Sequence, residues 1–379
     1  MKIIPYGRQF IDDNDLRSVN QALKKDKITT GQNVEKFEKK LEYFLKCKYS
    51  IVCNSGTSAI LLAMQSINVA KNDVIIMPTI NFIASYNVAK ILGAKVFLAD
   101  VDKYTGQMTP QDVIDCCRKF NLKTIKAVIV MYHSGTPLNA EKFKNLKKKY
   151  NCTIIEDACH ALGAEYKFRN KFYKIGSCKH SDICTFSLHP LKTITTGEGG
   201  IVTTNNQKIA KRVKSLVSLG INRKKKHWEY DVDNYGLNLR MNDFQSALGI
   251  SQLKKINVFL KKRESLFEKY IFRLREIDSI NLPYSNKNYK SANHLFIINI
   301  KGFNKSKKEK LIKYMLKNKI ILQYHYIPIY KFKVFKDKFM SKNAEIFFKT
   351  SVSLPIFYNM SLKNLKKVTD HLKKYFKTY

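Results

Sequence analysis

From about residue 50 the chain alternates short apolar runs with amphipathic stretches. Seven runs rich in β-branched residues stand out: SIVCN, DVIIMP, AKVFLAD, IKAVIVMY, CTIIEDA, DICTFSL and GIVTTN. Between most of them apolar positions recur at helical spacing, as over Thr57–Ile67, Ala84–Leu92, Pro110–Phe120 and Ala140–Tyr150. Strands that are apolar throughout, separated by helices, predict a mostly parallel sheet covered on both faces, hence one large α/β unit. Met241–Ile277 predicts one or two long helices. After about Asn281 the pattern changes. It predicts an apolar strand (HLFIINI), a basic amphipathic helix over Lys305–Lys319, an aromatic strand (IILQYHYIPIY) and a closing helix after VSLPIFYN. That is a smaller α+β unit. No internal repeat or low-complexity linker intervenes, so the boundary is expected within a long helix, dividing 1–250 from 251–379.

Composition narrows the class. The hydrophobic content of 44% over 379 residues suffices for a large buried core. No apolar run is long enough to span a bilayer, and the start, MKIIPYGRQFIDDND, turns acidic too soon for a signal peptide. A cytoplasmic protein without a membrane partner is expected. The eight cysteines include no Cys-x-x-Cys pair, and a chain of this length needs no disulfide staples. Cys178, His180 and Cys184 lack a second pair of ligands, so no metal is expected. The net charge of +39 invites a nucleic-acid reading. The excess is nearly all lysine, however, and it alternates with apolar residues in helical runs such as SKKEKLIKYMLKNK. A solvated lysine surface, attractive to an anionic substrate but without a nucleic-acid partner, is the expectation.

Four stretches depart from plain α/β construction. In VCNSGTSAILLA a strand runs into Asn54-Ser55-Gly56-Thr57-Ser58 and a helix starts. Its free amides and hydroxyls could either cap the helix or bind a phosphate. In TIIEDACHA a strand ends at Glu156-Asp157, the sheet edge where α/β proteins place ligands. Asp157 could cap a following helix or meet a cationic group, and His160 would lie one helical turn away. In FSLHPLKTITTGEGG, Lys192 follows the strand end at Ser187 and precedes a glycine run. It could be a surface lysine before a hairpin. It could equally be an amine whose low-polarity setting favours the neutral, nucleophilic form. In LNLRMNDFQSALG, Asn242 or Asp243 is the expected N-cap of an apolar helix, leaving Asn238 and Arg240 spare. A phosphate cradle, a strand-end carboxylate and an isolated lysine on one unit fit pyridoxal phosphate. That cofactor needs a Schiff-base lysine, a partner for its pyridinium nitrogen and a phosphate anchor.

The chain also resembles the DegT/StrS-type pyridoxal-phosphate-dependent sugar aminotransferases, which share the aspartate aminotransferase-like (type I) fold. The resemblance runs through IPYGRQFIDDNDL, CNSGTSA, EDACHALGAEY, FSLHPLKTITTGEGG, RMNDFQSALGISQL, YHYIPIY and SLPIFY. PYGRQ, HPLKTITTGEGG and HYIP are most similar to the pseudaminic-acid branch of that group. The resemblance implies that Lys192 forms the Schiff base and that Asp157 keeps the pyridinium nitrogen protonated. It places His160 at the ring's phenolate oxygen, Phe82 against the ring, and Gly56, Thr57 and Ser187 on the phosphate with Ser58 nearby. Asn238, with Arg240, would reach the phosphate from the other subunit of a homodimer. Tyr6, His189, Tyr324, His325 and Tyr326 are the implied substrate contacts. The implied reaction moves an amino group from L-glutamate to a keto-sugar nucleotide, a UDP-4-keto-6-deoxy-N-acetylhexosamine, for surface-glycan synthesis.

The chain departs from the group's usual residues at Thr30, Leu219, Leu237 and Leu239, all expected near substrate or interface surfaces. The VMYHSGTP stretch also differs, although His133 and Gly135 remain. A related branch that removes a sugar hydroxyl carries histidine in place of the lysine; Lys192 argues against it. A binding-only relative and a basic nucleic-acid-binding protein are the remaining rivals, and neither would turn over glutamate.

Overall fold

The computed structural model describes residues 3–226, 228–283, 286–336 and 339–378. In chain order the first half contains α1 (Asp13–Leu23), α2 (Gln32–Leu45), β1 (Tyr49–Cys53), α3 (Gly56–Ser66), β2 (Val74–Pro78), α4 (Ala84–Ile91), β3 (Lys95–Ala99), α5 (Pro110–Lys119), β4 (Ala127–Met131), α6 (Lys144–Tyr150) and β5 (Thr153–Asp157). A hairpin of β6 (Glu165–Phe168) and β7 (Lys171–Lys174) follows, then β8 (Ile183–Ser187), β9 (Gly200–Thr204) and α7 (Gln207–Leu216). Next come β10 (Ile221–Arg223), β11 (Tyr230–Val232), α8 (Asp243–Lys254) and α9 (Ile256–Leu274). The remainder holds β12 (Ile280–Asn281), β13 (Tyr289–Lys290), β14 (Phe296–Ile300), α10 (Lys305–Lys317), α11 (Lys342–Thr350), β15 (Ser351–Leu354) and α12 (Leu362–Thr378).

All seven expected strands join one sheet, in the order β1-β9-β8-β5-β4-β2-β3. Pairing is parallel from β8 through β3, and β9 runs antiparallel to both β1 and β8. The expected α/β architecture, with a mostly parallel seven-stranded sheet, is therefore present. Successive residues enter opposite cores, as a two-residue period requires. Val52, Ile76, Val128, Val130 and Ile154 join one buried cluster. Their neighbours Ile51, Ile75, Ala127, Ile129 and Ile155 join the other. A third cluster unites β14, β15, α10 and α12 with α9 and with Ile4, whose backbone pairs with Ile320.

Two caps tie distant segments together. Asn242 is the N-cap of α8 and forms a capping box with Gln245. Asp243 does something else: its Oδ1 accepts from the amides of Asn33 and Val34 at 2.8 and 3.3 Å, and its Oδ2 accepts from Asn33 Nδ2 at 2.6 Å. The N-cap of α2 is Gly31, which has no side chain, so Asp243 supplies acceptors for that helix from 210 residues away.

Three expected elements differ. The Ala140–Tyr150 helix is confined to α6, with 140–143 forming turns. No helix follows β5: residues 159–160 and 162–163 are turns, so Asp157 caps nothing helical. IILQYHYIPIY is not a strand but an irregular segment with bridges at Ile320 and Gln323 and a short 3₁₀ turn over Ile329–Lys331. Pro328 lacks a ladder donor, and His325 and Tyr326 turn toward the cavity described below.

One carboxyl on α2 makes stability pH-dependent. Glu38 Oε1 accepts the Val52 amide at 3.1 Å, yet burial pushes the carboxyl's pKa from 4.5 to about 7. The folded chain thus holds this proton more tightly than the unfolded chain. The corresponding stability is present below pH ~4.5 and is lost as pH rises through about 7. Glu38→Gln is expected to melt above the wild type at pH 8, with the gap closing toward pH 5. A gap of constant size across that range would remove Glu38 as the titrating group.

Candidate active site

A cavity of about 330 Å³ opens where the parallel strands end. Met131, Asp157 and Ser187, the last residues of β4, β5 and β8, reach it from below. The start of α3 brings Gly56 and Thr57 to the same space, and residues in the first turn of a helix have no intrahelical acceptor for their amides. Ser55 is the N-cap, its Oγ accepting from the Ser58 amide at 3.1 Å. Capping and an anion cradle are thus not alternatives here, because different residues supply them. Gly56 is required by close approach: a Cβ there would lie 2.7 Å from Ser187 Cβ. Gly200 is more constrained, since its Cβ would lie 2.1 Å from the Ser55 carbonyl oxygen. The glycine run after Lys192 therefore lets β9 pass directly under the α3 cap.

Lys192 sits in a turn, its amide donating to His189 O at 2.9 Å, and its side chain lines the cavity. Burial lowers its ammonium pKa below the usual lysine range, while Cys159, Asp157 and Glu198 pull the other way. Asp157 faces it, held by Ser85 Oγ donating to Oδ2 at 3.0 Å and by the Cys159 amide donating to Oδ1 at 3.3 Å. The adjacent Glu156 points to the opposite face and accepts from Tyr132 Oη at 2.7 Å inside the core. Strand alternation separates the two carboxylates.

The cavity also receives His160, Phe82, Tyr6, His189, His325 and Tyr326. His160 arrives on a turn rather than a helix, and it is 2% exposed. Phe82, in contrast, is 54% exposed, an aromatic face left uncovered beside the lysine. Four expected residues lie elsewhere. Ser58, Asn238 and Arg240 line a neighbouring polar cavity of about 530 Å³, which shares Ser55 and Glu198 with the first. Tyr324 lines a third recess beside Phe82 and Tyr326. Of the four departures, Thr30, Leu219 and Leu237 are exposed, but Leu239 is 9% exposed and packs in a core cluster. It is therefore a core residue rather than a surface one, and its backbone carbonyl accepts the Asn54 amide at 2.8 Å.

Three site residues escape a reading of the sequence. Cys159 was visible only as the residue two past Asp157. Ser85 sits in the first turn of α4 with no local signal. His294 opens the HLFIINI run, where it reads as a strand end. In the fold its ring lies 4.2 Å from that of His160, and its carbonyl accepts from the buried Arg263 at 3.2 Å.

A lysine of lowered pKa, a carboxylate fixed by two donors, and a glycine-shaped cradle of amides and hydroxyls match the three anchors of pyridoxal phosphate. His160 Nδ1 adds a buried ring nitrogen without a partner among the described residues. The residues present therefore fit the group.

Comparison with known proteins agrees with this geometry. The DegT/DnrJ/EryC1/StrS aminotransferase family profile matches residues 9–373. A protein of Campylobacter jejuni named UDP-4-amino-4,6-dideoxy-N-acetyl-beta-L-altrosamine transaminase is 36% identical over 377 residues, covering 98% of this chain and 96% of the relative. The structure of Helicobacter pylori PseC, described as an aminotransferase involved in the biosynthesis of pseudoaminic acid, superimposes with a TM-score of 0.91 at 29% identity, over all of both chains. The PLP form of the sugar aminotransferase Spr1654 from Streptococcus pneumoniae shares the fold, with a TM-score of 0.89 at 23% identity over 99% of each chain.

Proposed function

The chain belongs to the DegT/DnrJ/EryC1/StrS aminotransferase family, and on that premise we propose that it transfers the amino group of L-glutamate to a UDP-4-keto-6-deoxy-N-acetylhexosamine with pyridoxal phosphate as cofactor. The observation that carries the reading is the convergence of Lys192, Asp157 and the Gly56–Thr57–Ser187 cradle on one cavity. Three relatives named as UDP-4-amino-4,6-dideoxy-N-acetyl-beta-L-altrosamine transaminase, 31 to 36% identical, support the sugar.

Bound there, pyridoxal phosphate supplies an electron-accepting ring that stabilises the charge left when a substrate carbon loses a proton. Gly56, Thr57 and Ser187 hold the phosphate, the first two through amides at the positive end of α3. Asp157, held in place by Ser85 Oγ, would stand as the partner of the ring nitrogen. Phe82, exposed at the cavity, would cover one face of the ring and exclude water. Lys192 Nζ would anchor the cofactor and, as a neutral amine, would take and return the substrate proton. Its lowered pKa makes the neutral amine available for both roles.

The assembly we propose is a homodimer. Leu219, Tyr235 and Leu237 are 42, 98 and 52% exposed on the segment that carries Asn238. An apolar surface next to an open polar cavity suits a partner subunit completing the phosphate site. Among the described residues no helix is long and apolar enough to cross a membrane, consistent with a cytoplasmic enzyme using a nucleotide sugar.

Purified protein loaded with pyridoxal phosphate is expected to absorb near the border of the visible and ultraviolet, to lose that band with L-glutamate, and to regain it with the UDP-4-keto sugar. Recovery with a dTDP- or 3-keto sugar instead would replace the substrate. Failure to take up the cofactor would reject the reading.

A further inference from the structure

Three buried histidines, His160, His294 and His325, line one side of the cavity and a fourth, His133, packs beside His160, an arrangement that the anchoring roles above leave unexplained. The ring of His160 lies 4.2 Å from His294, 6.0 Å from His133 and 6.5 Å from His325. Burial lowers the pKa of all four, that of His133 to about 4 and that of His325 to about 3, and their mutual repulsion and that of Lys192 lower His160 and His294 further. Each imidazole therefore carries a single N–H at neutral pH, and its placement matters. For His133 the placement is set: Nδ1 lies 3.2 Å from the Thr105 carbonyl, which can only accept.

For His160 the deciding neighbour is Tyr326. Its Oη lies 2.8 Å from His160 Nε2, while His160 Nδ1 has no partner among the described residues. Burial raises the Tyr326 phenol well above its usual pKa, so the hydroxyl keeps its proton. A neutral imidazole and a protonated phenol can share this contact in two ways. Either Tyr326 donates to Nε2 and the ring proton sits on Nδ1, or Nε2–H donates to Tyr326 and Nδ1 is a bare acceptor. A cavity shaped for an electron-rich cofactor oxygen favours the first, because it leaves the buried Nδ1–H with an acceptor.

We propose that Tyr326 is a positioning residue that donates its hydroxyl proton to His160 Nε2, and so fixes Nδ1–H as the donor offered to the cofactor's phenolate oxygen. The inference rests on the pyridoxal phosphate reading and deepens it. It reassigns Tyr326 from a substrate contact to a residue acting through His160. Its ring also lies 5.8 Å from that of Phe82, so one side chain touches both the imidazole and the aromatic cover of the site. The segment 324–328, which lies between the two recesses lined by His325 and Tyr326, is thereby linked to the electronics of the cofactor.

The test is a pH titration of the visible band of the cofactor-loaded enzyme without substrate. A fixed donor on the phenolate oxygen stabilises the deprotonated chromophore, so losing the fixation raises the titration midpoint. Tyr326→Phe should move it upward by about half a pH unit. Adding Tyr326→Phe to His160→Ala should move it no further than His160→Ala alone. A raised KM for the sugar with an unchanged midpoint would overturn the proposal and return Tyr326 to substrate binding. Should the variants fold poorly, ¹⁵N-histidine NMR of the wild-type holoenzyme decides: the His160 signal, assigned by its loss in His160→Gln, must show protonated Nδ1 and bare Nε2. The opposite tautomer overturns the proposal. A wild type that binds no pyridoxal phosphate would fail the functional reading, and the NMR arm on the protein as purified would still report the tautomer.

Discussion

Lys192→Ala is expected to lower turnover by ~10⁴-fold or more, because in the proposed reaction one side chain would serve as both covalent anchor and proton carrier. The fold should be unaffected: Lys192 lies in a turn and makes no ion pair among the described residues. Cofactor should still be retained through the α3 cradle and Asp157, but borohydride should no longer fix it to the protein, as read by intact mass. Lys192→Arg should be equally inactive, since a guanidinium stays protonated near neutral pH. In the wild type the neutral amine is the working form, and burial has lowered its pKa. The rising limb of the pH–rate profile should therefore fall below that of an ordinary lysine. Full activity in either variant would reject the assignment.

Asp157→Ala should be nearly as damaging, with turnover down by ~10³-fold, the scale of losing one preorganised charge in an enclosed site. The loss should appear in kcat more than in KM for the sugar, because the proposed partner of Asp157 is the cofactor ring rather than the acceptor. Asp157→Asn keeps the shape and the contact to the Cys159 amide, with Nδ2 donating to Ser85 Oγ instead of accepting from it, but removes the charge. It should fall close to the alanine variant. Near-wild-type turnover in the asparagine variant would show that position, not charge, is what Asp157 provides.

The local pattern of the chain determined much of this. The seven sheet strands were legible because each is apolar on both faces, and a strand covered on both sides has no alternative site in the fold. Asp157, Gly56, Thr57 and Ser187 stood out because each sits at a strand end or helix start, where a parallel sheet exposes its functional groups, and Lys192 because it is set apart in the turn between β8 and β9. The irregular path of 320–330 was not legible. Its apolar and aromatic residues read as a strand, yet what the segment packs against is the cavity wall, formed by residues far away in sequence.

The same distinction separates the local cap at Asn242 from the long-range contacts of Asp243 and Asp157. Sequence neighbours suffice to make Asn242 an N-cap, since its capping box closes within three residues. That Asp243 serves α2, that Ser85 steadies Asp157, and that Tyr326 meets His160 166 residues away are decided only when the chain closes on itself. Hydrogen bonds of that reach leave no periodic trace. Each partner looks locally like any polar residue, and its meaning is set by burial, which only the tertiary structure creates.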